Sequence, residues 1–233
     1  MTPTRINLPR LKGKIIAIDG PAGSGKSTTS KLLAARLGYV YLDTGAMYRA
    51  LTHFALKNSI APSDGPKLAA LAAKLPIEFK TSEDVNRVFI NGEDVTKEIR
   101  TPEVTLHVSE VSAHKGVREA MVAKQRKMGK EGSIVAEGRD TTTVVFPEAD
   151  IKIFLQASVK ERAKRRLLDL TKMGVSTTLE AQAADIERRD NHDSSRQHSP
   201  LTKAKDAYTV DTTDMTIEGQ VDFIVSLIRR LLK

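Results

Sequence analysis

The stretch Lys14-Ile-Ile-Ala-Ile-Asp19-Gly-Pro-Ala-Gly-Ser-Gly25-Lys-Ser-Thr28 decides the fold. Its first part is an apolar, β-branched run of strand length, suited to a sheet covered on both faces. Its second part fits G-x-x-x-x-G-K-[ST] in full, and Lys26–Leu37 then reads as a helix with Leu32, Leu33 and Leu37 on one side and Gly38 as its stop. Glycines let the backbone turn tightly and point successive N–H groups inward, and the helix N-terminus adds positive potential where a polyphosphate would sit. Gly20, Pro21, Ala22, Gly23, Ser24, Gly25, Lys26, Ser27 and Thr28 are therefore read as a polyphosphate-binding loop, the stretch that would hold ATP in a kinase. Lys26 reaches the β- and γ-phosphates, and the Ser27 hydroxyl joins a Mg²⁺ shell. Such a loop serves switches, motors, synthetases and small-molecule kinases alike, so the rest of the chain must choose.

The chain has 233 residues, 40% of them hydrophobic, which argues against disorder and allows one large domain or two small ones. It has no cysteine, which excludes a disulfide, a thiolate zinc site and a cysteine nucleophile, and fits a reducing compartment. Apolar runs such as Ile15–Ile18 are far too short to cross a bilayer, and the basic arm before Lys14 lacks the apolar segment of a signal peptide. A cytoplasmic protein with no membrane partner is expected. The formal net charge of +8 suggests an anionic partner. Aromatics are only 4% with no tryptophan, which disfavours a stacking platform for single-stranded nucleic acid.

Outward from the loop, Tyr39–Leu42 reads as a second strand and Ala46–Leu56 as a helix. After a break at Pro62–Pro66, the pattern predicts a helix over Lys67–Leu75, strands over Pro76–Lys80 and Asn86–Ile90, a tight turn at Asn91-Gly92 and one helical stretch over residues 103–129. This piece reads as a small β-containing insertion. Alternation resumes with strands at Ser133–Glu137 and Ile151–Leu155, a capping box from Ser158 to Glu161, a polar, Ala-rich and then charged stretch over 176–190, a strand at Ala207–Asp211, and a last helix capped by Thr216. Strands alternating with helices imply an α/β fold built on a parallel sheet.

Ligands of such sheets bind beyond the carboxyl ends of strands. Asp43, Thr44 and Arg49 follow the second strand there, and Arg139 and Asp140 follow another. Arg188, Arg189 and Arg196 flank Asp193 in the late polar segment. Arginines from chain-distant places around one phosphate loop suit phosphoryl transfer, where guanidinium forks neutralise charge on the equatorial oxygens. Within the basic run Lys160–Arg166, Arg162 and Arg165 are the members assigned to ATP phosphates, and the others to a solvated helix face.

At this point the chain resembles the bacterial cytidylate kinase family, within the nucleoside monophosphate kinases. The segments that carry the resemblance are Ile18–Thr28, Leu42-Asp-Thr-Gly-Ala-Met-Tyr-Arg49, Ile90-Asn-Gly-Glu-Asp-Val-Thr96 with Ile99-Arg-Thr101, Val108-Ser-Glu-Val-Ser112 with Val117-Arg118, Ala136-Glu-Gly-Arg-Asp140 with Val144–Pro147, and Arg189-Asp190 through Asp193–Leu201 with Asp211-Thr-Thr213. The resemblance implies one P-loop kinase domain: a core of residues 14–60 and 130–233, a monophosphate-binding insertion over about 61–129, and a mobile lid over about 172–200. It places cytosine contacts on Ser109, Arg118 and Asp140. It places monophosphate contacts on Arg49, Arg139 and Arg196 with Thr44 beside them, and sugar and phosphate approaches on Arg189 and Asp193. A carboxylate suits the cytosine 4-amino donor and would face an acceptor in uracil. Residues 141–143 read Thr-Thr-Thr where Ile-Gly-Thr is expected, which leaves the path of that loop open.

The resemblance thus implies ATP-dependent phosphorylation of CMP and dCMP with Mg²⁺, by a monomer, with Lys26, Arg139, Arg189 and Arg196 stabilising the transition state. A related kinase of shikimate or dephospho-coenzyme A lacks the Ser109/Arg118 arrangement. A nucleotide-dependent RNA-binding protein lacks its basic stripe with interleaved aromatics.

Overall fold

The computed structural model describes residues 11–82, 85–172 and 174–232, so most of the basic arm lies outside the described residues. The chain divides into two compact units, one running up to Val40 and resuming at Gly132, the other spanning Tyr41–Glu131.

The first unit is built on parallel strands β1 (Ile15–Asp19), β6 (Ile134–Gly138), β7 (Ile151–Gln156) and β8 (Tyr208–Asp211). The full sheet order is β2-β6-β1-β7-β8, with β2 (Val40–Asp43) entering at Val40, whose N–H donates to Ser133 O at 2.9 Å. β1 lies between β6 and β7, in register Asp19↔Gly138 and Asp19↔Phe154. Ile16, Ala17, Ile18, Ile153 and Leu155 are sealed from solvent, which is why β1 carries apolar residues on both faces. Helix α1 (Lys26–Leu37) ends at Gly38, whose φ of 66° is the left-handed stop that glycine adopts freely. Helix α8 (Ile217–Leu231) buries Val221, Ile224, Val225 and Ile228, each worth about 1.5–3 kcal/mol when taken fully out of water.

Helices α6 (Val159–Lys172) and α7 (Leu179–Ser195) complete this unit. The stretch 176–190, which its composition does not assign, lies mostly in α7. The Thr178 hydroxyl accepts from Ala181 N–H at the helix start, and only Ile186 and Asp193 are buried. The capping box at Ser158 forms by half: Ser158 Oγ accepts from Glu161 N–H at 3.3 Å, but Glu161 turns outward to Arg165 while Ser158 N–H donates to Thr213 Oγ.

The second unit holds α2 (Thr44–Lys57), α3 (Gly65–Lys74), an antiparallel sheet of β3 (Ile77–Ser82), β4 (Val85–Ile90) and β5 (Glu93–Asp94), then α4 (Pro102–Ala113) and α5 (Lys115–Met128). Asn91 and Gly92 both take positive φ, 51° and 81°, the signature of the tight hairpin turn their sequence predicts. The expected continuous helix over 103–129 is instead two helices. His114 breaks it at ψ 125°, with its Nε2 2.8 Å from Pro62 O and its ring so close to Gly65 that a Cβ there would lie 2.8 Å from Nδ1. No glycine or proline marks position 114, because the break is set by packing.

Thr216 N-caps α8 by accepting from Gly219 N–H at 3.1 Å. Replacing it by alanine should lower stability by about 1 kcal/mol, seen as a fall of roughly 2–4 °C in Tm by circular dichroism. An unchanged Tm would mean that the cap adds nothing.

Candidate functional site

The loop between β1 and α1 is shaped by close approach. A Cβ on Gly20 would lie 2.0 Å from Leu155 O, and Gly20 takes φ +152°, so no other residue lets the chain leave β1 across the end of β7. Gly25, the α1 N-cap at φ 88°, likewise leaves only 3.0 Å between a Cβ and Gln220 Oε1. The loop rests on Thr212, the residue after β8, whose Oγ lies 3.1 Å from both Ser24 O and Gln156 O.

Lys26 is buried inside this loop. Its ammonium donates to Pro21 O at 2.7 Å and lies 3.4 Å from Ser24 Oγ. Burial, with the positive charges of Arg139 and Arg189 against it, pushes the group from its ordinary 10.5 down to about 7; Glu137 and Asp19 work the other way. Folding therefore leaves Lys26 with fewer protons than the unfolded chain between those values, and this group's contribution to stability rises with pH across that window. Ser27 and Thr28 are exposed on the first turn of α1. An exposed hydroxyl beside bound phosphates fits Mg²⁺, which keeps several waters and needs few protein ligands. Among the described residues no cluster of three acidic or histidine side chains could hold a metal by itself.

Arg162 and Arg165, assigned from sequence to ATP phosphates, are found bracing the loop. Arg162 is buried, donating from Nε to Ala157 O and from Nη1 to Ala22 O, both at 3.0 Å, and pairing with Asp190 at 2.5 Å. Asp190 in turn accepts from Ala22 N–H at 3.3 Å. Arg165 donates to Glu161 at 3.2 Å and to both the hydroxyl and the carbonyl of Thr212.

A second cluster stands at the end of β6 and on α7. Arg139 Nε donates to Asp193 Oδ2 at 2.8 Å, and Arg196 Nη1 lies 3.8 Å from Asp193 Oδ1 while its Nε donates to Ser199 O. Burial alone would lift the Asp193 carboxyl; Arg139, Arg189 and Arg196 hold it below its ordinary value. Asp193 is thus the shared counter-ion of three arginines, and Arg139 and Arg189 also act on Lys26. Arg188 faces outward and pairs with Asp185 on its own helix. Asp140 is buried at the end of β6. The Thr-Thr-Thr departure resolves into a one-turn π-helix over Thr141–Val145, with Thr141 and Thr142 donating to Asp19. Burial lifts the Asp19 carboxyl, and these donors oppose that lift.

In the second unit, Thr44 opens α2 and is buried. Asp43 caps this helix, accepting from Ala46 N–H at 2.7 Å, and pairs with Arg49 at 3.1 Å and Arg100 at 3.6 Å. Arg100 sits with Arg49 on one carboxylate, and sequence reasoning missed it; its signal was an arginine just before the Thr101-Pro102 helix start. Ser109 on α4 accepts through its carbonyl from Ser112 Oγ at 3.1 Å, and Arg118 on α5 donates to Ser112 O at 3.1 Å. The guanidinium of Arg118 lies 5.3 Å from the centre of the Tyr48 ring. The break at His114 thus seats Arg118 against the end of the helix that carries Ser109. Asp19, Asp190, Thr212 and Gln220 were also missed; each acts through a contact that spans most of the chain.

The cytidylate kinase family model matches residues 16–230. The cytidylate kinase of Enterococcus faecalis is 52% identical over 219 residues, covering 94% of this chain and 97% of that protein. That of Bacillus subtilis is 47% identical over 215 residues, covering 92% and 96%. Among solved structures, shikimate kinase from Acinetobacter baumannii aligns with a TM-score of 0.46 at 16% identity, over 94% of this chain and 95% of that one. A family match across nearly the whole chain, with relatives about half identical from end to end, makes this protein a member of the cytidylate kinase family.

Proposed function

We propose that the protein transfers the γ-phosphoryl group of ATP to CMP, and also to dCMP, releasing ADP. The observation that carries the ATP half is the buried Lys26 held among same-sign neighbours Arg139 and Arg189, an arrangement that an anion completes. In this reading the phosphate-loop N–H groups and Lys26 hold the β- and γ-phosphates, and Ser27 would hold Mg²⁺, which would neutralise phosphate charge. Arg162 and Arg165 keep the loop in shape, with any direct phosphate contact secondary to that. Arg49, Arg139 and Arg196 with Thr44 take the CMP phosphate; Arg189 and Asp193 approach its sugar; Ser109, Arg118 and Asp140 read cytosine.

A CMP phosphate oxygen attacks the γ-phosphorus, a new O–P bond forms, and the bond to the β–γ bridging oxygen breaks, so that the electron pair leaves on ADP. That attacking oxygen is ionised near neutral pH, and no general base is required. Lys26, Arg139, Arg189 and Arg196 stabilise the charge that spreads over the transferring group. Residues 172–200 act as a lid that excludes water, the rival acceptor. We place the enzyme in the cytoplasm as a monomer. Among the described residues no helix is long and apolar enough to cross a membrane.

A coupled ADP-release assay across nucleoside monophosphates should give the highest kcat/KM with CMP or dCMP; preference for UMP, AMP or shikimate would refute the acceptor. Asp140→Ala should raise KM for CMP by at least about tenfold and KM for ATP by less than about twofold; equal losses would misplace the base pocket. At a pH of about 8, ATP binding should take up close to one proton, because bound phosphates restore the charge that burial removes from Lys26. Calorimetry in buffers of different ionisation enthalpy reads this uptake. Lys26→Ala should abolish it and cut kcat by several orders of magnitude, and a buffer-independent enthalpy in the unsubstituted protein would contradict the argument.

A further inference from the structure

Arg139 and Asp140 form a two-residue excursion held at both ends by a single residue. Before it, Gly138 is the strand partner of Asp19 where β6 and β1 end together. After it, both oxygens of the Asp19 carboxylate are taken. Oδ1 accepts from Thr141 N–H at 2.9 Å and from Thr141 Oγ at 2.6 Å. Oδ2 accepts from Thr142 N–H at 2.7 Å and from Thr142 Oγ at 2.6 Å. Four donors fill the acceptor capacity of a carboxylate. Asp19 and Thr141 are sealed from solvent, and Thr142 very nearly so. The carbonyl of Asp140 then accepts from the N–H groups of Val144 and Val145, which turns the chain away. On its other side Asp19 leads directly into Gly20, the first residue of the phosphate loop.

We propose that Asp19 and the hydroxyls of Thr141 and Thr142 form a latch that sets where Arg139 and Asp140 stand relative to the phosphate loop, and thereby the affinity for the acceptor nucleotide. The three are positioning residues, since they act through Arg139 and Asp140, and the proposal rests on the acceptor reading above. Two of the four donors are backbone N–H groups that any residue but proline supplies. The other two are side-chain hydroxyls, and removing one leaves part of a buried carboxylate unpaired, so that the loop relaxes. A displacement of Asp140 by a fraction of an ångström is felt by a base that it must meet at hydrogen-bond distance, whereas ATP is held largely by the glycine loop and Lys26.

The test compares Thr142→Val, which keeps the shape and loses the hydroxyl, with Thr142→Ser, which keeps the hydroxyl, in steady-state assays that vary each nucleotide separately. Thr142→Val should raise KM for CMP by about tenfold and KM for ATP by less than about twofold, and Thr142→Ser should return KM for CMP to within about twofold of the unsubstituted protein. Thr141→Val is read in the same way. Asp19→Asn combined with Thr142→Val should be no worse for CMP than Asp19→Asn alone, because the two act through one contact. An unchanged KM for CMP, equal losses for both nucleotides, no rescue by serine, or unfolding of both valine variants would overturn the latch. The acceptor reading is judged separately, on the unsubstituted protein. Should that protein prefer another monophosphate, the same KM split is measured with the acceptor it takes.

Discussion

The absence of a side chain at residue 20 is the constraint on which the first unit turns. The carbonyl of Leu155 stands where a Cβ would be, so the chain leaves β1 over the end of β7 only because Gly20 permits it. That crossing aims the loop at the start of α1, where the positive end of the helix dipole would favour a phosphate. The braces follow from the same crossing: Thr212 lies against Ser24, Arg162 ties Ala22 to Asp190, and Gln220 Oε1 accepts from Thr29 at 2.6 Å. Strand ends, α6, α7 and α8 all meet the loop, so its shape is a property of the whole unit.

Gathering Lys26, Arg139, Arg189 and Arg196 in a shielded place is unfavourable without an anion. The protein manages this with the Asp193 carboxylate shared among three guanidinium groups, with Glu137 nearby, and by leaving Lys26 partly uncharged. Both arrangements suit a ligand that brings its own negative charge. In the proposed function a polyphosphate would restore the lysine's proton and relieve the mutual repulsion of the arginines, and the charge that develops in a loose transition state would be met by groups already in place. The overall excess of basic residues, which alone points only to some anionic partner, here has a local meaning.

In the second unit the decisive feature is the turn at His114. A single helix over 102–128 would carry Ser109 and Arg118 along a common rod. The break instead brings Arg118 back to Ser112, three residues from Ser109, and lays its guanidinium over Tyr48. The close seat of the His114 ring on Gly65 and the contact of Gly116 with Ala69 leave no room for side chains at those glycines. Ser109 and Arg118 are thus positioned by packing between α3 and α5.

Local patterns carried a long way. The phosphate loop, α1 and its Gly38 stop, the Asn91-Gly92 hairpin and the Thr216 cap each depend on neighbours in the chain, and all stand where the residues indicate. Arg139 and Asp140 could be placed from the strand before them. The roles that could not be read are those whose partner is remote in sequence. Arg162 reads as a phosphate ligand because a basic residue beside a nucleotide loop is indistinguishable, in one dimension, from one that braces it; its pairing with Asp190 and its bond to Ala22 O appear only in the fold. Asp19 reads as the last residue of a strand until Thr141 and Thr142 close on it, and His114 carries no local breaking signal at all. Periodicity and turn chemistry act over a few residues and are written in order along the chain. Counter-ions, latches and helix breaks arise where distant segments exclude water together, and they exist only once the chain has folded.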